Sequence, residues 1–372
     1  MAEQLIDRGF DTEFSPSRID ELAQTFTPKD SLEEWIERIH NEDGAYDLKR
    51  GEFYPELLRG ILTVKSLGGA AYGVDPRQVH PNFGSNGSID TILTALALSN
   101  DLSHERGVLV ATPTYFRIYN SCAARNLKLI GVPLHTHDWS FDLDRFVTAI
   151  KRENPSAVFL VSPNNPTGIG IPDKDLQEVL SATPDDTLLV LDRTLVNIKP
   201  ETRSAQLLRQ FPSKKLAILH SLSKYAGYSH LRMGISLYGS IELAESIAPF
   251  LPLGISLEGA IIASRYLRAG PLEAAPGIKE NITSSKRILD NFCAGSHQVS
   301  VTDFDGNYCI LRHDSIQSTE FAQSLESSGL IVMGGHAFPE PNSKVTRVHT
   351  AGPVEYMEKL VSKTSDFVVR WN

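Results

Sequence analysis

Residues 157–192 read AVFLVSPNNPTGIGIPDKDLQEVLSATPDDTLLVLD. Two short apolar runs, AVFLV and TLLVL, enclose the amphipathic helical segment DKDLQEVLSA. Runs this continuous belong to strands covered on both faces, and strands alternating with helices make a mainly parallel sheet. The same alternation continues in both directions. Upstream stand helical YPELLRGILTVKSL and SIDTILTALAL, the run GVLVATP, helical YFRIYNSCAARN, the run LKLIGVPL and helical LDRFVTAIKR; downstream stands LAILHS. The expected fold is therefore α/β, a mainly parallel sheet sandwiched by helices.

In such sheets ligands sit beyond the carboxyl ends of the strands. That is where this chain keeps its unusual residues: TPTY (112–115) after GVLVA, SPNNPTG (162–168) after AVFLV, Asp192 after TLLVL, and SLSK (221–224) after LAILH. Beyond residue 250 the pattern changes to LEGAIIASRYLRAG and IKENITSSKRILDNF, then strand-like GNYCILR and TRV. This reads as a smaller α+β domain. We expect a large domain over 45–270 and a small one from 271–372 together with 1–44, where SLEEWIERIHN forms a helix with Ser31 as cap and Glu34 three positions on.

Composition narrows the class. The 372 residues are 41% apolar and 22% charged, with no apolar run long enough for a bilayer span. The start, MAEQLIDRGFDTEF, lacks the cationic head and apolar stretch of a secretion signal, so a cytoplasmic protein is expected. A net charge of −9 disfavours nucleic acid, whose phosphates need clustered Lys and Arg. Cys122, Cys293 and Cys309 lie far apart, without disulfide-framework or metal-type spacing. No metal is expected.

The stretch SLSKYAGYSHLRMG (221–234) sets one lysine, Lys224, between small hydroxyl residues and a glycine, with Arg232 eight positions later. A surface lysine needs no such setting; one that carries a covalent adduct and moves protons does. Taken in order, GSNGSID (84–90), TPTY, SPNNPTG, the lysine stretch and TRV (346–348) resemble the fold-type-I pyridoxal-phosphate enzymes of aminotransferase class I/II, closest in style to histidinol-phosphate aminotransferases. Order and spacing match over roughly residues 50–350.

That resemblance implies pyridoxal 5'-phosphate as cofactor and assigns the sites. Lys224 is the amine that bonds the cofactor aldehyde and then acts as general base and acid. Gly84, Ser85, Asn86, Ser221 and Arg232 hold the phosphate, the last two at the family's offsets of minus three and plus eight from the lysine. Capping of the following helix is the ordinary alternative for Ser85 and Asn86, and the two uses are compatible. Asp192 keeps the ring nitrogen protonated. Asn165 bonds the cofactor's phenolic oxygen and lies near the substrate carboxylate; Tyr115 stacks on the ring. Arg347 grips the substrate α-carboxylate, with a surface arginine as the alternative reading. Tyr54 matches the tyrosine that reaches the neighbouring subunit's phosphate, which implies a homodimer with shared active sites.

The pattern breaks after Asp192, where Arg193-Thr194-Leu195 stands in place of a stretch ending in tyrosine. Leucine cannot donate the tyrosine's hydrogen bond. The residues after the lysine also differ, and His230 there is read as a packed histidine or, alternatively, an added acid or base. The implied function is chemistry at the α-carbon of an amino acid, amino transfer first. The alternatives are a lyase, cyclase, oxidase or decarboxylase, with partial likeness to guanidino-amino-acid enzymes of the capreomycidine-synthase and arginine-oxidase types. A catalytically inert binding module of the same fold is the reading from another class.

Overall fold

The computed structural model of the chain describes residues 53–99, 107–252, 254–275, 277–296, 298–313, 316–330 and 332–370. The expected N-terminal helix at Ser31 and Glu34 lies outside them. Helix α1 (Phe53–Tyr72) leads to β1 (Val79–Asn82), α2 (Gly84–Leu98), β2 (Gly107–Thr112), α3 (Phe116–Ala124), β3 (Lys128–Pro133), α4 (Leu143–Glu153) and β4 (Ala157–Val161). Then follow α5 (Asp173–Ala182), β5 (Leu188–Asp192), α6 (Ser204–Gln210), β6 (Leu216–Ser221), the short α7 (Leu222–Tyr225), β7 (Gly234–Tyr238), α8 (Ile241–Ile247) and α9 (Leu257–Ala269).

The seven strands run in the order β1-β7-β6-β5-β4-β2-β3. Strands β2 to β6 pair in parallel, and only β7 runs against its neighbours β1 and β6. The side chains explain the unbroken apolar runs. Along β4 and β5, Val158, Leu160, Leu189 and Leu191 enter one buried cluster, while Ala157, Phe159, Val161, Leu188 and Val190 enter the other. Alternate residues point to opposite faces, and both faces are covered by helices, so every position must be apolar.

Strand β7 makes the lysine segment a hairpin connection. Residues 222–233 leave β6 and return antiparallel, with Ser221 opposite Gly234 and the Leu222 N–H donating to the Met233 carbonyl at 3.0 Å. The base of this loop is thus fixed by the ladder itself.

A second sheet follows α10 (Ile278–Ala294). Strands β8 (Val299–Val301) and β9 (Tyr308–His313), helix α11 (Ser318–Glu326), strands β10 (Met333–Gly334) and β11 (Val345–His349), and helix α12 (Val354–Arg370) give an antiparallel sheet of order β10-β11-β9-β8. Its core holds Leu289, Leu311, Phe321, Val348 and Leu360. It docks on the first sheet's carboxyl edge by backbone bonds: Asp305 N and Gly306 N donate to Gly168 O at 2.8 and 3.0 Å, Ile198 N to Asp305 O at 2.9 Å, and Val196 N to Asn307 Oδ1 at 2.7 Å.

At Gly168 the loop after β4 packs directly against the backbone of β9. Gly168 has φ +74°, and a Cβ there would lie 1.7 Å from the Tyr308 carbonyl oxygen. Left-handed strain and backbone overlap act together, so Gly168→Ala is expected to destabilise the protein by about 3 kcal/mol or more. Urea unfolding checks this, and a midpoint equal to that of the unaltered protein would refute the close approach.

Candidate active site

The carboxyl ends of β2, β4, β5 and β6 bring residues 113–115, 162–168, 192 and 221–224 to one edge, and residues 308 and 347 reach it from the second sheet. Helix α2 begins at Gly84, so Gly84, Ser85 and Asn86 form its first turn instead of preceding it. Amides of a first turn lack intrahelical acceptors and leave a partial positive charge at that end. Gly84 has φ +65°, and a Cβ on it would meet Arg232 Nη2 at 3.1 Å. The guanidinium therefore lies directly against the helix start. Arg232 is exposed, adopts φ +50°, and donates from Nη1 to Ser229 O at 3.0 Å.

Ser221 is buried and its hydroxyl already has two partners, accepting from Ser223 N at 3.2 Å and donating to Met233 O at 3.3 Å. Its observed contribution is to shape the lysine turn. Tyr115 caps α3, and its hydroxyl donates to Asn86 Oδ1 at 2.9 Å. The two helices are held in register by Asp90, which binds Arg117 and accepts from Ser121 Oγ at 2.6 Å.

The two asparagines of SPNNPTG separate cleanly. Asn164 is buried and ties two turns together: its Nδ2 donates to Pro113 O at 2.9 Å and Thr167 Oγ1 at 3.2 Å, and Thr114 Oγ1 donates to its Oδ1 at 3.3 Å. Asn165 faces the open edge, where its Oδ1 accepts from Arg347 Nη1 at 2.8 Å. Arg347 is mostly buried, which pulls its pKa below the usual arginine value.

Asp192 is 3% exposed, and its Oδ1 accepts from the Thr194 backbone N–H at 2.8 Å. Among the described residues no cation lies within ion-pair distance of it. Burial pushes its carboxyl up from 3.8 to about 6. Leu195 is buried, and Arg193 is buried beside Thr202, Ser204 and Glu201.

Lys224 lies within the short α7 half-buried, with its Nζ 5.6 Å from the Tyr308 ring centroid. Arg347 Cζ lies 4.4 Å over the same ring, and the His349 ring meets it edge-on at 5.6 Å. Burial first, then Lys224 and Arg347, lower the His349 pKa to about 4, so this imidazole is neutral at pH 7. Neither Tyr308 nor His349 is singled out by the sequence motifs. The usable signal is strand parity: Tyr308 pairs with His349 and Ile310 with Arg347, so all four share one face.

Two expectations need correction or placing. His230 is exposed, its ring 6.2 Å from that of Tyr228, so it is not a packed core histidine; the surrounding 229–231 turn lifts it to the surface. The side chain of Tyr54 lies outside the described residues, though its backbone starts α1. Among the described residues no group of His, Cys, Asp or Glu is disposed to hold a metal, and no helix is long and apolar enough to cross a membrane.

Residues 61–363 match the profile of the family described as aminotransferase class I and II. The chain belongs to that family. Like other class I and II aminotransferases it is a pyridoxal-phosphate-dependent enzyme acting on amino acids, which sets aside the reading as an inert binding module. It is 25% identical over 289 residues to a histidinol-phosphate aminotransferase of Chlorobaculum tepidum, covering 77% of this chain and 78% of that one. A histidinol-phosphate aminotransferase of Vibrio cholerae is 28% identical over 240 residues, covering 64% and 67%. Among solved structures, a pyridoxal-phosphate-dependent aminotransferase from Streptococcus suis superposes with a TM-score of 0.75 at 17% identity, covering 97% of this aminotransferase and 92% of that chain. The Sinorhizobium meliloti histidinol-phosphate aminotransferase, in complex with pyridoxal-5'-phosphate, gives 0.66 at 20%, covering 98% and 100%. The shared fold extends to an L-threonine-O-3-phosphate decarboxylase from Porphyromonas gingivalis, with a TM-score of 0.67 at 19% identity over 85% and 94% of the chains.

Proposed function

We propose that this aminotransferase moves the amino group of an α-amino acid to a 2-oxo acid, with Lys224 as the catalytic amine, Asp192 as the carboxylate that would pair with the cofactor ring nitrogen and Arg347 as the group that would hold the substrate carboxylate. The observation that carries the reading is Asp192: a buried carboxylate with no ion-pair partner among the described residues, at the edge where Lys224 and Arg347 also converge. Such a group is costly to bury charged unless a cation arrives with the ligand. A protonated ring nitrogen is that cation. The Gly84 turn with Arg232 against it suits a phosphate, because amides at a helix start and a fixed guanidinium both favour a dianion. Ser85 and Asn86 complete that turn, and Tyr115, held by Asn86, supplies the aromatic face over the ring. Ser221 serves by holding the lysine turn to which Arg232 belongs.

When bound, the cofactor supplies an aldehyde that takes up the substrate amine and a ring that withdraws electrons from the α-carbon. Lys224 Nζ would be the amine that holds the cofactor aldehyde and, when not so engaged, the base placed to take the proton from the substrate α-carbon. Arg347 and Asn165 orient the carboxylate so that this carbon–hydrogen bond faces the lysine. The same amine would return that proton, and amino transfer then needs water to release the 2-oxo acid.

We also read residues 45–270 as the large domain, 271–372 with 1–44 as the small one, and the enzyme as a cytoplasmic homodimer whose active sites share Tyr54. A single-turnover experiment tests the reaction. Mixed with a panel of amino acids and no acceptor, the loaded enzyme is expected to release one equivalent of 2-oxo acid per site and to stay bleached in the visible until a 2-oxo acid is added. Spontaneous return of the visible band with release of ammonia or carbon dioxide would refute amino transfer.

Arg347→Ala is expected to lower kcat/KM for the best amino acid about 100-fold, the worth of two charge-assisted hydrogen bonds, and Arg347→Lys to restore little of it. Steady-state kinetics check this; a loss under 3-fold, on the order of half a kcal/mol, would remove Arg347 from the carboxylate site.

A further inference from the structure

We propose that Tyr308 is a positioning residue whose ring face aims the Arg347 guanidinium at the substrate carboxylate; the inference rests on Arg347 as the carboxylate-binding group. Arginine has a long, rotamer-rich side chain, and one hydrogen bond does not fix its plane. Arg347 has one edge donated to Asn165 Oδ1 at 2.8 Å and its Cζ 4.4 Å over the Tyr308 ring. The edge contact sets direction and the face contact sets tilt. The ring's attraction for a cation is strongest where water is excluded, and Arg347 is mostly buried.

The platform is held more firmly than what it carries. The Tyr308 carbonyl abuts Gly168, where no Cβ fits. The preceding Asn307 accepts from Val196 N through Oδ1 at 2.7 Å and from Thr350 N through its backbone oxygen at 2.9 Å. His349 meets the ring edge-on at 5.6 Å. Lys224 Nζ lies 5.6 Å from the same ring centroid, so one aromatic ring relates the amine that bonds the cofactor to the guanidinium that grips the substrate. A flat π face is what this role needs; the hydroxyl is not.

The test compares two amines that lack an α-hydrogen and differ in the carboxylate: 2-aminoisobutyrate and tert-butylamine. Each is titrated into loaded enzyme and followed by the change in visible absorption. Tyr308→Leu and Tyr308→Met, which keep apolar bulk and remove the ring, are expected to raise the Kd of 2-aminoisobutyrate about 10-fold and leave that of tert-butylamine unchanged. Tyr308→Phe is expected to match the unaltered enzyme within about 2-fold, since the ring face is retained. Unchanged carboxylate preference in both Leu and Met variants, or a Phe variant as impaired as they are, overturns the proposal. Arg347→Ala is run alongside. If it too leaves the preference unchanged, the carboxylate assignment itself fails; if it abolishes the preference while the Tyr308 variants keep it, only the role of Tyr308 fails.

Discussion

Lys224→Ala is expected to abolish the visible absorption of the loaded enzyme and to lower kcat by about 10⁴-fold or more, because in the proposed role one side chain provides both the covalent attachment and the proton transfer. The loss falls on chemistry and not on folding. Lys224 is half-buried, and among the described residues its amine faces the Tyr308 ring without a hydrogen bond or ion pair. The turn is instead held by Ser221, by the Leu222–Met233 bond and by the pairing of Ser221 with Gly234. The thermal midpoint should therefore move little in the cofactor-free protein. Borohydride reduction followed by peptide mapping gives a second readout. Label on Lys224 in the unaltered enzyme and none in the variant is expected; label on another lysine would sink the assignment.

Asp192→Asn is expected to act in opposite directions on stability and activity. In the cofactor-free protein burial holds the Asp192 carboxyl at about 6, against 3.8 ordinarily. The folded state thus binds the proton more tightly than the unfolded chain. The resulting stabilisation is complete below pH 3.8 and is lost as pH rises through about 6. At pH 7 the ionised group costs about 3 kcal/mol relative to an ordinary carboxyl. Asparagine keeps an acceptor for the Thr194 N–H and carries no charge, so the cofactor-free variant should unfold later at pH 7 and lose the downward slope of stability between pH 4 and 6. Activity should fall about 10³-fold, the scale of removing one preorganised electrostatic partner. Calorimetry of cofactor-free protein at several pH values, set beside steady-state rates, decides it. A variant no more stable than the parent, or one with full activity, contradicts this role for Asp192.

Much of this site is legible in the sequence, for a physical reason. A strand buried on both faces must be apolar throughout, so AVFLV, TLLVL and LAILH mark their own ends and the residues just beyond them. Arg347 and Asn165 stand out as candidates by motif, and the fold joins them by a hydrogen bond. Where the chain turns back on itself, local pattern carries less. Strand β1 is four residues containing Pro81, and β7 runs antiparallel because the lysine segment is a hairpin connection; neither direction nor partner is written in GISLY. Asn164 and Asn165 are chemically identical, and only the backbone turn makes the first a staple and the second a ligand of Arg347. Tyr308 sits in the stretch GNYCILR, which reads as a strand and nothing more. Its place beside Arg347 appears only once the register of β9 against β11 is known. His230 shows the opposite error, since proximity in sequence to Lys224 does not bring it inward.

The docking of the second sheet on Gly168 and Val196 divides the proposed site into two separately carried halves. Lys224, Asp192 and the Gly84 turn, the residues proposed to bear on the cofactor, are carried by the first sheet, whereas Tyr308, Arg347 and His349 come from the second. On the proposed roles, substitutions within 308–313 or 345–349 are expected to change the grip on the substrate carboxylate and to leave cofactor attachment unchanged. A mutational scan of β9 and β11 that reads both the Kd of an amino acid and the visible band checks this separation, and variants there that lose the band would contradict it.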